Sequence, residues 1–203
     1  MIMKKRVLQQ TLKAVVAGIS IGLGAYAYMS CPPVVGSFVF SVGILLVFIM
    51  DSYLYTGIVP YTTKVREIPF LLNVVLGNAI GSTIMLAFDT PMAEVIMNQK
   101  LSEPLYLSFV EAALCGMLIY SAVEAKKKCN YIGVILVVGV FVLLGLEHSI
   151  ANMCYMVGAR MFTLEALLHL VIVIIGNAFG GIISRKVHVG FDAGSKDRKR
   201  LIE

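Results

Sequence analysis

The sequence predicts an all-α integral membrane protein of six transmembrane helices, set as two inverted three-helix repeats with interrupted second and fifth helices. Three observations predict it. Of 203 residues, 59% are hydrophobic and only 14% are charged, whereas soluble domains run near a quarter charged. The apolar residues fall in six continuous runs, not in the alternating segments of about ten residues that mark a membrane barrel. A Gly-Asn-x-x-Gly element occurs in the third run, as Gly77-Asn78-Ala79-Ile80-Gly81, and again in the sixth, as Gly176-Asn177-Ala178-Phe179-Gly180. A soluble enzyme, a disordered tail and a disulfide miniprotein are excluded by this composition. No extramembrane domain fits, because a bilayer core takes about 20 apolar residues per helix.

The runs are Val15 to Met29, Phe38 to Pro60, Phe70 to Phe88, Leu105 to Val123, Tyr131 to Val157 and Leu164 to Ser184. Their connectors are Ser30 to Ser37 with Pro32-Pro33, Tyr61 to Pro69, Asp89 to Pro104, Glu124 to Asn130, and a turn around Gly158 to Thr163. The chain is thus read as one domain, with a cytoplasmic N-terminal segment at 1–14, a six-helix pore at 15–184 and a basic cytoplasmic tail at 185–203. Six spans put both termini on one side with the second and fourth connectors, and that side collects fifteen of the 17 basic residues. Only Lys100 and Arg160 lie opposite. Basic residues gather on the cytoplasmic side of inner or plasma membranes, so both termini are expected there. Topology accounts for the net charge of +5, and no nucleic-acid partner is called for. The basic tail is expected to be solvated, near anionic headgroups. The first run is expected to be a span and not a cleaved signal, since Tyr28-Met29-Ser30-Cys31 lacks the small residues of a cleavage site. Cys31, Cys115, Cys129 and Cys154 have no metal spacing and are read as packing residues or free thiols.

Runs two and five are longer than one span and polar in the middle, the pattern of interrupted helices that flank a transport pathway. Run five carries Gly145-Leu146-Glu147-His148-Ser149-Ile150-Ala151-Asn152-Met153. An acid and an imidazole at mid-span are costly unless paired and mark ion paths or proton relays. Glu147 and His148, as neighbours, point apart; His148 and Asn152, four residues apart, are expected to share a helix face. Run two breaks at Asp51-Ser52-Tyr53-Leu54-Tyr55-Thr56-Gly57, where Thr56 either donates to a passing anion or bonds its own backbone. The glycines at 77, 81, 176 and 180, with Gly18 and Gly22, read as close helix packing, and Asn78 and Asn177 as partners for backbone groups freed where helices break. His169 reads as a packing histidine or a helix-to-helix hydrogen-bond partner. No nucleophile, zinc, phosphate-loop or dinucleotide pattern is present, so neither an enzyme nor a cofactor is expected.

The motif around His148 is similar to the signature of the formate/nitrite transporter family, pentameric channels for small monovalent anions with an aquaporin-like protomer. Leu54-Tyr55-Thr56-Gly57, the two Gly-Asn-x-x-Gly elements and Phe109-Val110-Glu111-Ala112 resemble that family as well. The resemblance implies a central histidine at His148, loop residues Leu54 and Thr56, and constriction phenylalanines at Phe40 on the cytoplasmic side and Phe141 on the periplasmic side. It places Tyr53 and Tyr120 where the family carries an acid and a pore asparagine, and leaves Lys100 to stand for the family's lysine before the fourth span. The function implied is a homopentameric channel or proton-coupled transporter for formate, nitrite, hydrosulfide or short carboxylates. The anion would be drawn in near Lys100 or helix N-termini and cross as the neutral acid, with His148 supplying the proton. A neutral-solute channel and a non-transporting scaffold or sensor are the other readings the sequence leaves open.

Overall fold

A computed structural model describes residues 2–62 and 64–202, with side chains over 5–62 and 64–190. The helices are α1 (Ile2–Met29), α2 (Pro33–Val39), α3 (Ser41–Ile49), α4 (Tyr55–Ile58), α5 (Ile68–Ser82), α6 (Pro91–Leu101), α7 (Leu105–Lys127), α8 (Tyr131–Leu143), α9 (Ser149–Gly158) and α10 (Leu164–Ile202). Short 3-10 turns occupy Val59–Tyr61, Val65–Glu67 and Thr83–Ala87. Among the described residues, four stretches are long and apolar enough to cross a bilayer, Lys5–Met29, Val65–Ala87, Leu105–Lys127 and Leu164–Gly190. The other two apolar stretches, Pro33–Ile49 and Tyr131–Leu143, are shorter, and each is followed by a break and a second, shorter helix.

Those breaks are built alike. After α3 the chain turns through Asp51 at φ 45° and reaches Leu54 in extended conformation (φ −95°, ψ 124°) before α4 starts. After α8 it turns through Gly145 at φ +70°, a conformation that glycine adopts without steric cost. It then reaches His148, also extended (φ −104°, ψ 114°), before α9 starts. Such backbone survives inside a bilayer only when its polar groups find partners within the protein. Asn78 on α5 accepts from the Tyr55 N–H at 3.0 Å and donates to the carbonyls of Tyr53 and Ala14, each at 2.8 Å. Asn177 on α10 accepts from the Ser149 N–H at 2.8 Å and donates to the carbonyls of Glu147 at 2.7 Å and Ala112 at 2.9 Å. Each asparagine therefore grips the residues on both sides of one extended position, Leu54 in the first break and His148 in the second.

The grip needs close helices, and the glycines supply them. α5 lies on α1 and α10 on α7. A Cβ on Gly81 would overlap the Val15 carbonyl, and one on Gly180 would overlap that of Ala113. Small residues at such crossings let backbones touch where lipid provides no hydrophobic drive for association.

Three features differ from the sequence reading. The connector 89–104 holds α6, which starts at Pro91 and buries Ala93 and Met97, one turn apart, on the side facing α9. The connector 124–130 is helical as far as Lys127, and α1 and α10 run without a break through positions 14/15 and 184/185. The side chains of Lys4 and of the basic residues from 196 onward lie outside the described ones. All four cysteines are free, with Cys115 and Cys154 buried.

Candidate substrate pathway

Two cavities approach the two breaks from opposite directions. The first, about 270 Å³, is lined by Lys100, Glu103, Glu111 and Glu147 and ends on Phe40, Phe141 and His148. The second, about 160 Å³, is lined by Ile44, Val47, Leu54 and Ile58, with Lys126 and Lys127 at its mouth. Phe40, Phe141, His148, Thr56 and Leu54 separate the two, and each is at most 3% exposed.

Phe40 and Phe141 are in edge-to-face contact, with ring centroids 5.9 Å apart and planes at 83°. This corrects the expectation of two constrictions on opposite sides. Phe40 sits at the joint between α2 and α3, Phe141 near the end of α8, and α2 packs on α8. The two rings therefore close one barrier, at the inner end of the first cavity. Leu54 with Ile44 and Val47 is the apolar lining at the other end. Hydrophobic constrictions of this kind exclude hydrated ions by dewetting. Phe141→Ala is expected to admit chloride, giving chloride-driven swelling of proteoliposomes that the wild-type protein does not support.

Between these apolar ends is one polar contact. His148 stacks on Phe141 with centroids 5.7 Å apart, and its Nε2 lies 3.0 Å from Thr56 Oγ1. Its Nδ1 accepts from the Ala151 N–H at 3.1 Å, which makes the imidazole the N-cap of α9. A backbone amide only donates, so Nδ1 is the bare nitrogen and the neutral ring carries its proton on Nε2, facing Thr56. Between the two cavities the ring thus presents a fixed N–H donor.

The other expected site residues fall into two groups. Lys100, from the end of α6, forms an ion pair with Glu147 Oε1 at 3.0 Å and donates to the Gly145 carbonyl at 3.2 Å. Asn152 donates to Glu147 Oε2 and does not join His148 as its position four residues on had suggested. His148 precedes α9 in extended conformation, so helical spacing does not govern the pair. Tyr53 and Tyr120 line neither of these cavities: Tyr53 packs edge-on against Phe70, and the Tyr120 hydroxyl lies 2.6 Å from His188 Nδ1 on α10. His169, also on α10, comes within 3.5 Å of Glu147 Oε1. Asp51 is exposed and pairs with Lys13 at 2.6 Å. Sequence reasoning missed Glu103 and Glu111 as lining of the first cavity and counted Lys126 and Lys127 only toward topology.

The formate/nitrite transporter family model matches residues 2–188. Among curated proteins, the nitrite transporter NirC of Escherichia coli (strain K12) is 26% identical over 211 residues, covering 85% of this chain and 79% of its own length. NirC of Salmonella typhimurium is 25% identical, with 85% and 78% covered. Among solved structures, a pentameric formate channel with formate bound superposes with a TM-score of 0.75 at 26% identity, covering 93% of this chain and 96% of that one. A structure described as an FNT family ion channel gives a TM-score of 0.79 at 22% identity, with 91% and 90% covered. With the fold and nearly all of the sequence matched, this chain belongs to the formate/nitrite transporter family.

Proposed function

We propose that this chain is a multi-pass channel for small monovalent weak-acid anions such as formate, nitrite, hydrosulfide or short carboxylates, which cross as the neutral acid past His148. The observation that carries this reading is the buried hydrogen bond between His148 Nε2 and Thr56 Oγ1, set between two cavities and apolar barriers. Taking a bare anion into such a setting has an idealised Born cost of order 20 kcal/mol. A neutral acid avoids most of that cost. The N–H on Nε2 is placed to donate to an oxygen passing between Phe141 and Leu54, with Thr56 exchanging partners as it passes. Sulfur in hydrosulfide accepts the same bond more weakly.

The neutral tautomer refines the role of the histidine. If the neutral ring gave up its only proton it would be left as an imidazolate. Delivering a net proton therefore requires a second one on Nδ1, which displaces the Ala151 bond. His148 accordingly acts first as a hydrogen-bond donor, and the proton that neutralises the anion travels with it. The relatives named as nitrite transporters and the formate-bound neighbour support the substrate class.

The same proposal includes the topology. α2, α3 and α4 make one crossing and α8 and α9 another, so that with the four long helices there are six. The paired grips of Asn78 and Asn177 relate the two halves as inverted repeats. The pentameric neighbour supports a homopentamer, and the distribution of basic residues supports cytoplasmic termini in an inner or plasma membrane.

Flux of formate, nitrite, acetate and lactate into proteoliposomes at two pH values tests this reading and identifies the substrate. The undissociated fraction of a weak acid rises about tenfold for each unit that pH falls above its pKa, so flux is expected to rise as pH falls. Anion flux no faster than through empty liposomes, from folded and assembled protein, contradicts the reading. Osmotic water or ammonia flux without pH dependence would instead favour a neutral-solute channel.

A further inference from the structure

Two cationic groups converge on one oxygen beside the first cavity. Glu147 is 1% exposed; its Oε2 is taken by Asn152, and its Oε1 faces both Lys100 Nζ at 3.0 Å and His169 Nε2 at 3.5 Å. His169 is equally buried, and neither of its ring nitrogens makes a hydrogen bond among the described residues. A buried imidazole without a hydrogen bond costs stability, and its Nε2 approaches the carboxylate oxygen that neutralises Lys100. His169 also lines a second cavity of about 430 Å³ together with Glu103 and Glu165.

We propose that His169 is a positioning residue for anion capture, which on protonation takes over Glu147 and frees the Lys100 ammonium to attract anions into the first cavity. This rests on the reading that anions cross here. With His169 neutral, Lys100 and Glu147 sum to zero and the ammonium is held against the carboxylate. With His169 charged, the three groups sum to +1 around one shared oxygen, and the cavity gains one positive charge beside the carboxylates of Glu103 and Glu111. The charged groups around the ring are Glu165 on α10, Lys100 on α6, Glu103 in the link after α6 and Glu147 before α9, with Glu111 on α7 and His148 lining the same first cavity. Asn152 keeps the carboxylate in place during the exchange, so the transfer needs only a shift of the lysine ammonium, whose side chain is already 12% exposed.

The test compares half-saturating nitrite concentrations of wild type and His169→Gln in oriented proteoliposomes, with pH varied only on the Lys100 face. Taking the ratio of the two proteins at each pH cancels the change in neutral-acid fraction, which both share. Between about pH 7.5 and about pH 5.5 the ratio is expected to move roughly threefold to tenfold in favour of the wild type. The effect should appear in half-saturation and not in maximal rate. In a Lys100→Met background the same comparison is expected to give a ratio independent of pH. His169→Asn serves as a second variant if His169→Gln assembles poorly. A ratio that stays constant with pH overturns the inference, as does a pH-dependent ratio that survives Lys100→Met. Either result, in a protein that transports nitrite, leaves the channel reading intact; absence of flux in the wild type fails that reading instead.

Discussion

Replacing His148 with asparagine is expected to slow weak-acid flux by roughly five- to 150-fold, while the protein still folds and assembles. The imidazole has two separate duties, capping α9 through Nδ1 and presenting an N–H to the pathway from Nε2. Asparagine is among the best N-cap residues, whereas losing a cap altogether costs about 0.5–2 kcal/mol. Its shorter side chain keeps the bond to the Ala151 N–H and withdraws the donor from Thr56. The variant thereby separates structure from transport more cleanly than phenylalanine, which loses both. Without the donor, an acid passing the barrier has no partner at its most desolvated point, and leaving a buried polar group unpaired costs about 1–3 kcal/mol. Thermal melting in detergent should match the wild type, and light-scattering flux should fall well below the wild-type rate. Flux near the wild-type rate would remove His148 from the mechanism.

Asn177→Ala carries the largest expected effect on stability. It removes three hydrogen bonds at once, leaving the Ser149 N–H and the Glu147 carbonyl without partners on either side of His148. The expected loss is about 2–4 kcal/mol, read as a lowered melting temperature and as faster proteolysis near residues 144–149. Asn177→Asp should not rescue it, because a carboxylate accepts from Ser149 but presents no donor to the carbonyls of Glu147 and Ala112. Asn78→Ala should act in the same way on the first break, where the freed groups flank Leu54. A stable Asn177→Ala protein with normal flux would mean that the second break holds its shape without the grip.

Much of this was legible because bilayer physics writes itself into composition. Four long helices appear as continuous apolar runs, and the two breaks announce themselves through Asp51, Ser52, Glu147 and His148, polar residues where lipid tolerates none unpaired. The recurrence of Gly-Asn-x-x-Gly pointed to Asn78 and Asn177, whose spacing from the breaks no local rule supplies. What remained illegible depends on tertiary register. The meeting of Phe40 with Phe141 follows from how α2 lies on α8, and no spacing along the chain encodes it. Asn152 was assigned to the wrong neighbour because helical periodicity was extended one residue past the true start of α9. The α6 helix escaped notice because it spans only 11 residues inside a polar connector, although Ala93, Ile96, Met97 and Leu101 recur at helical spacing on its core side and Pro91 followed by Glu94 is a helix-start pattern. That Lys100 reaches Glu147 follows from α6 packing on α9, which places the end of that helix over the second break.

The most direct test of neutral-acid passage is the number of protons that enter with each anion. Proteoliposomes containing a pH dye, given an inward gradient of formate or nitrite, report internal pH and anion uptake together. One proton per anion is expected, with a rate unchanged when a potassium ionophore clamps the membrane voltage. Uptake that needs the voltage clamp and leaves internal pH unmoved would show that the bare anion crosses, contrary to the mechanism built on His148.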